Sequence, residues 1–305
     1  MHFKKLNLLQ ELILKYSDKQ AYIFYKNSKI ENKFYNAAIQ IEHSSLEHLY
    51  KTDTYFKHSG NIGDIIYSLP AVLELSKNGK AHLLLNINRK GSYLSYHPLG
   101  DLMLNQKMLD MLRPLLLYQP QIETCEIYNG EKIDYDLDLF RSYPLLLDRG
   151  NISRWYFWLF AISPSLNTPW LVAPKENSSI NDFIIVARSH RYRNPGISYN
   201  FLNAYHKVLF IGILEEYEDM KKAIPKLEYR PVNDFLEMAS LINSCKLFIG
   251  NQSFPFALAE GLKVNRLLEV YYKDPNVSPE GIGAHDFIFQ PQFQKLTAEL
   301  YNLNT

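Results

Sequence analysis

Apolar residues recur along the chain at two alternating spacings. Thr54 to His58 is β-prone, and a turn rich in Gly and Asn comes after it. Ile65, Ile66, Leu69, Val72, Leu73 and Leu75 then fall on one face at helical spacing. Ala81–Asn88 is almost continuously apolar, as expected of a parallel strand buried on both faces. A helix is predicted from Asp101 towards Leu117, with Asn105, Gln106 and Lys107 on its polar side, then short strands over Cys125–Tyr128 and Tyr135–Phe140. The second half repeats the scheme, with strands at Phe183–Ala187, Val208–Gly212, Lys246–Gly250 and Arg266–Tyr271. Helices are predicted at Tyr199–His206, Glu215–Ala223, Asp234–Ser244, Phe256–Leu262 and Gln290–Leu303. Strands alternating with helices predict an α/β protein with doubly wound sheets.

Two stretches interrupt this rhythm. Residues 1–53 form an N-terminal extension holding an amphipathic helix after Met1–Lys5, a β-like Gln20–Tyr25 and a polar segment ending in Glu47–Lys51. The extension could pack on the first domain, contact an acceptor or mediate assembly. Ser163–Ser179 carries Pro164, Pro169 and Pro174 among Asn and Ser, the composition of a connector. The expected division is therefore 1–53, a first Rossmann-like domain over 54–170 and a second over 180–305.

Composition narrows the function classes. With 305 residues, 47% of them hydrophobic, two domains can each bury a core. The formal net charge of +1 gives no basic excess for nucleic acid. Cys125 and Cys245 are far apart and read as buried thiols of a reducing compartment. Neither a signal peptide nor a run of about 18 apolar residues is present, so a cytoplasmic protein is expected. The aromatic run Trp155, Tyr156, Phe157, Trp158 and Phe160 reads as a core helix, with membrane-surface contact as its alternative. Asp136 and Asp138 have the Asp-x-Asp spacing but fall within the apparent strand. The histidines at 58, 190 and 285 are scattered, so no metal is expected.

The candidate chemistry gathers at turns that succeed strands. Gly60, Asn61 and Gly63 make a loop that a substrate can approach closely. Asp64 comes next, at a helix start, where backbone N–H groups favour an ionised carboxylate. It reads either as a helix cap or as a base accepting a hydroxyl proton. In the second half, the amides of Gln252, Ser253 and Phe254 open a helix and suit a diphosphate, or simply start a helix after a strand. Arg188, Arg191 and Arg193 after the first strand either neutralise that diphosphate or lie in solvent. The turn-rich Asp274–Gly283 loop offers Asn276 and Glu280 as sugar contacts.

Gly-Asn-Ile-Gly-Asp-Ile-Ile-Tyr-Ser-Leu-Pro, ending at Pro70, resembles the N-terminal signature of the ADP-heptose:lipopolysaccharide heptosyltransferases. Ile249-Gly-Asn-Gln-Ser-Phe-Pro255 is similar to their donor-binding signature, Gly-Asn-Asp-Ser-Gly-Pro. The resemblance spans residues 54–305 and implies the GT-B arrangement, two Rossmann-like domains facing across a cleft. It implies an inverting, metal-independent transfer from a nucleotide sugar, an ADP-sugar first, to a glycan or lipid-linked glycan acceptor at the inner face of a membrane, without a cofactor. It makes Asp64 the base and gives a basic residue of the 188–193 loop, with Arg193 the nearest match, to the diphosphate. Asn251 joins the donor site, while Gly212 with Glu215 or Glu216 takes the ribose. The chain departs from the family at Gln252 (Asp there), Phe254 (Gly there) and Ala257 (often His there). Those departures favour an alternative, a non-catalytic nucleotide-sugar or glycan-binding protein on the same scaffold, which the retained Asp64 disfavours.

Overall fold

The computed structural model describes residues 5–40, 52–91, 100–176 and 180–302. The predicted segment Glu47–Lys51 and the Asn-Ser end of the connector lie outside them. The N-terminal extension is a helical hairpin, α1 (Leu8–Ser17) and α2 (Lys19–Gln40). Gln20–Tyr25, expected as β-like, is the first part of α2. Its aromatic and β-branched residues suit a strand, but Asp18 caps the Ala21 N–H at 2.9 Å and starts a helix. Tyr25 then reaches Glu11 of α1.

Four parallel strands build the first sheet: β1 (Asp53–His58), β2 (Lys80–Leu85), β3 (Ile122–Ile127) and β4 (Tyr135–Asp136), in the order β3-β2-β1-β4. Its helices are α3 (Ile62–Leu75), α4 (Gln106–Leu117) and α5 (Ile152–Phe160). The predicted 101–117 helix begins only at Gln106, because Asn105 caps the Met108 N–H. The predicted strand over Tyr135–Phe140 stops at Asp136, whose carboxylate takes the Asp138 N–H and opens a 3-10 turn, Leu137–Arg141. In α5, Trp155, Tyr156, Phe157 and Phe160 are buried and only Trp158 of the aromatic run is exposed, so the run is core rather than a membrane contact.

Six parallel strands build the second sheet. β5 (Ile184–Ala187), β6 (Val208–Phe210), β7 (Glu228–Tyr229), β8 (Leu247–Asn251), β9 (Arg266–Glu269) and β10 (Ala284–Phe287) stand in the order β10-β9-β8-β5-β6-β7. The helices α6 (Leu214–Ala223), α7 (Phe235–Ser244), α8 (Phe254–Leu262) and α9 (Gln290–Asn302) complete it. The sequence pattern did not predict β7 or β10; the first has two residues and the second shows solvent-exposed His285 and Asp286. The Tyr199–His206 segment is a 3-10 turn, Asn200–Ala204.

One buried apolar cluster runs from α3, α4 and α5 of the first half into α7 and α8 of the second, so the halves share a core. A separate cluster fills the far face of the second sheet, under α6 and α9. The connector is tied down: Trp170 and Leu171 donate to the Gly261 carbonyl, and Asn243 donates to the Ala173 carbonyl.

Candidate active site

In open parallel sheets, ligands bind beyond the carboxyl ends of the strands where the strand order reverses. The first sheet reverses between β1 and β4. The chain leaves β1 into the glycine loop and Asp64, and leaves β4 into Asp138 and Arg141. Arg141 joins the two strand ends, donating to Asp64 Oδ2 at 2.7 Å and to Asp138 Oδ1 at 2.8 Å while its guanidinium lies over the Phe140 ring. Burial raises the Asp64 carboxyl above its ordinary value, against the pull of Arg141, Arg191 and an Asn61 hydrogen bond. This reverses the expectation from the helix N-terminus, because desolvation outweighs the N–H groups and cations that favour charge. Asn61 is the N-cap residue of α3, but its side chain makes no capping bond.

Beneath the loop a neutral histidine holds its shape. The Gly60 N–H donates to His58 Nδ1 at 2.9 Å, so the ring proton sits on Nε2, 3.0 Å from the Tyr156 hydroxyl. That hydroxyl in turn donates to the Asp64 main-chain carbonyl at 3.2 Å. Burial, with Arg141 nearby, pushes His58 down to about 3. Asp138 accepts from the Ser59 N–H at 3.1 Å and from the Ser59 hydroxyl, and lies 3.3 Å from Arg89 and 4.0 Å from Lys57. Burial works against its ionisation, but the Ser59 hydrogen bonds and Arg141 hold its pKa below the ordinary value.

The second sheet reverses between β5 and β8, where the arginine loop meets the start of α8. The three arginines divide there. Arg188 makes a bidentate pair with buried Glu269, both contacts 2.7 Å, and Tyr199 and the Asn194 N–H bond the same carboxylate. Arg193 pairs with Asp219 and donates to the Ser189 and Arg188 carbonyls. Arg191 bonds the Tyr192 hydroxyl at 2.8 Å, and its charge acts on Asp64. Of the three, Arg191 is the one whose charge bears on Asp64, while Arg193, the expected nearest match for the diphosphate, is paired with Asp219.

The remaining donor-site candidates are engaged to different degrees. Asn251 is fully buried and exchanges hydrogen bonds with the Ser189 main chain. Gln252 accepts from the Tyr271 N–H and donates to Asp274 O and Asn276 Oδ1, so its amide organises the 271–276 loop. The Ser253 N–H, expected to be open to phosphate, donates to the Asn251 carbonyl instead. Phe254 packs its ring on Phe235, and its Cα lies 3.9 Å from where a Gly63 side chain would begin. The N-termini of α3 and α8 thus abut. Gly212 has φ +143, a conformation that favours glycine. Glu216 accepts the His190 N–H, and burial pushes it up to about 7. Glu215 lines a cavity of about 630 Å³ with His190, Leu214, Glu218, Asp219 and Lys222.

Asn276 and Glu280, expected as sugar contacts, are engaged within the protein. Asn276 donates to the Leu147 carbonyl, and Glu280 holds Arg154 through both oxygens and accepts from Asn151. Both residues fasten the second half to the first. Sequence reasoning missed His58, Asp138, Arg141 and Tyr156. The available signal was the position of Asp138 and Arg141 just past β4, which the overlong strand assignment concealed.

No protein-family model and no curated protein matches the chain. Solved structures do. A glycosyl transferase family 9 structure from Veillonella parvula superposes with TM-score 0.51 at 11% identity, over 84% of this chain and 90% of that one. The chain has the GT-B fold of the heptosyltransferases. E. coli heptosyltransferase WaaC, solved with ADP, matches at TM-score 0.55 and 10% identity over 81% of this chain and 99% of its own. E. coli ADP-heptose LPS heptosyltransferase II matches at TM-score 0.52 and 13% identity, over 82% and 98%. The resemblance carried by the Gly-Asn-Ile-Gly-Asp turn is thus met at the level of the heptosyltransferase fold.

Proposed function

We propose that the chain is an inverting, metal-independent glycosyltransferase. It moves a heptose or another hexose-like unit from a nucleoside-diphosphate sugar, an ADP-sugar first, to a hydroxyl of a glycan or lipid-linked glycan. The observation that carries this reading is Asp64, a carboxylate made more basic by burial, held by Arg141 and within the field of Arg191 from the opposite half. Asp64 takes the acceptor hydroxyl proton as that oxygen bonds to the anomeric carbon. The bond from that carbon to the diphosphate breaks, and its electron pair leaves with the nucleoside diphosphate. Arg191 and the N-terminus of α8 offset the charge that develops there. The crystallised neighbour WaaC, solved with ADP, supports an adenine nucleotide as the first donor to try.

A second reading has its own support. Arg188, Arg193, Gln252, Asn276 and Glu280 are all engaged within the protein, which fits a scaffold that binds a nucleotide sugar or glycan without turnover. Thermal shift with ADP, GDP, UDP, CMP and their sugar conjugates comes first. A ligand at about 100 times its Kd adds about 2.7 kcal/mol of stability. The transferase reading expects donor consumption with an acceptor that falls about 10²- to 10⁴-fold in Asp64→Asn while the nucleotide shift persists. A nucleotide shift without turnover under any acceptor selects the binding protein, and no shift with any nucleotide or sugar conjugate rejects the transferase reading and leaves glycan binding alone.

A further inference from the structure

The N-terminal hairpin is built inside out. On α1, Leu9, Leu12, Ile13 and Tyr16 share one face and are 67%, 50%, 58% and 81% exposed. Glu11, on the opposite side of that helix, is the residue that meets α2, through the Tyr25 hydroxyl at 3.1 Å and Lys29 at 2.8 Å. On α2, Ile23, Ile30 and Phe34 share one face and are 49%, 57% and 54% exposed, while Tyr25, on the far side, is buried. The helices therefore meet through polar groups and turn their apolar stripes outward, the reverse of a hairpin made to stand in water.

Along one flank of the α2 stripe the charge has one sign. Lys19, Lys26 and Lys33 recur every seventh residue and run along one flank of Ile23, Ile30 and Phe34, all three exposed. Among the described residues, the hairpin's acids are Glu11, paired with Lys29, Asp18, which caps Ala21, and Glu31, on the opposite flank.

We propose that this hairpin docks on an anionic phospholipid surface. The apolar stripe enters the boundary between headgroups and acyl chains, and the lysine stems carry their ammonium groups to the phosphates. Lysines near such a surface attract anionic lipid, which is what a single-sign stripe beside an apolar one supplies. A second copy laid antiparallel on this face would instead set lysine stripe against lysine stripe. The inference does not depend on the transferase reading, since neither helix contributes a residue to the site around Asp64.

The test is co-sedimentation of the full chain with vesicles of phosphatidylcholine alone and of phosphatidylcholine mixed with phosphatidylglycerol. Binding to the mixed vesicles only is expected, weakening as salt rises. Lys19→Glu/Lys26→Glu/Lys33→Glu should reduce it by on the order of 100-fold. Ile30→Ser/Phe34→Ser should abolish it. Both variants change exposed positions, so Tm and any nucleotide-induced shift should match the parent. Failure to bind the mixed vesicles overturns the proposal, as does equal binding by the lysine variant. Sedimentation velocity showing a dimer that Ile30→Ser/Phe34→Ser dissociates, with no vesicle binding, assigns the stripe to a second copy and overturns it too.

Discussion

A methyl group at Gly60 would overlap Arg141 Nη2 and lie 2.6 Å from His58 Cε1 and 3.1 Å from Asp64 Oδ2. The glycine is needed here for space, because three side chains of the site converge where its side chain would stand. Arg141 has no slack to yield, being fixed at both ends by Asp64 and Asp138. Gly60→Ala should cost about 1–3 kcal/mol, the usual penalty of overpacking, measured by urea unfolding. Gly63→Ala, whose nearest contact would be 3.9 Å away, should cost distinctly less. Equal losses would show that the loop, and not the packing around Arg141, sets the constraint. Asp64 and this glycine were legible in the sequence because both sit on one short turn between a strand and a helix. Arg141 was not, because it comes from the end of another strand 77 residues away, and only the strand order brings the two together.

The β1-to-α3 turn acts as a unit through His58, whose neutral ring accepts from Gly60 and donates to Tyr156. Protonating that ring would bury a charge, and place it beside Arg141, which is why its value falls from 6.5 to about 3. Between those values the unfolded chain binds the proton and the folded chain does not, so stability rises with pH across the window and is lost on acidification. The slope contributed approaches about 1.4 kcal/mol per pH unit. In His58→Asn, where the amide oxygen can still accept from Gly60, that contribution should vanish. Urea midpoints at pH 7, 5 and 4 should therefore fall less steeply than in the parent; parallel slopes would place the acid sensitivity elsewhere. Element by element, long periodic segments such as Ile62–Leu75 were readable, and short pieces governed by a capping side chain were not. Asp136 ended a predicted strand early and Asp18 turned a β-like run into a helix. In the second half the sequence located the switch-point loops but could not divide their roles. Whether Arg193 meets a phosphate or Asp219, and whether Gln252 meets a ligand or the 271–276 loop, is decided by neighbours distant in sequence.

At the scale of the molecule, the two sheets would be free to move against each other if only a connector joined them. They are joined by much more. A single apolar cluster includes Leu109 and Leu112 of α4, Ile65 and Leu69 of α3, and Ala239, Ile242 and Leu258 of the second half. Polar fastenings lie at its margin: Asn276 on Leu147, Glu280 on Arg154 and Asn151, and the Gly261 carbonyl on Trp170 and Leu171. Breaking such a junction exposes apolar surface from both halves at once, so neither half should unfold alone. The chain's own cysteines report on each half. Cys125 lies in β3 of the first sheet and Cys245 ends α7 in the second, and burial pushes both thiols up to about 12. Cys125 is buried but Cys245 is only half-buried, against the expectation of two buried thiols, and both, held protonated, should react slowly with alkylating agents in the native protein. Pulsed alkylation along a urea series, read by mass spectrometry, should give one midpoint for the two thiols. If Cys245 becomes reactive at lower urea than Cys125, the second half opens by itself and the shared core does not couple them. A common midpoint that splits in Asn276→Ala/Glu280→Ala would assign part of the coupling to the loop that fastens the halves, beyond what the apolar contact supplies.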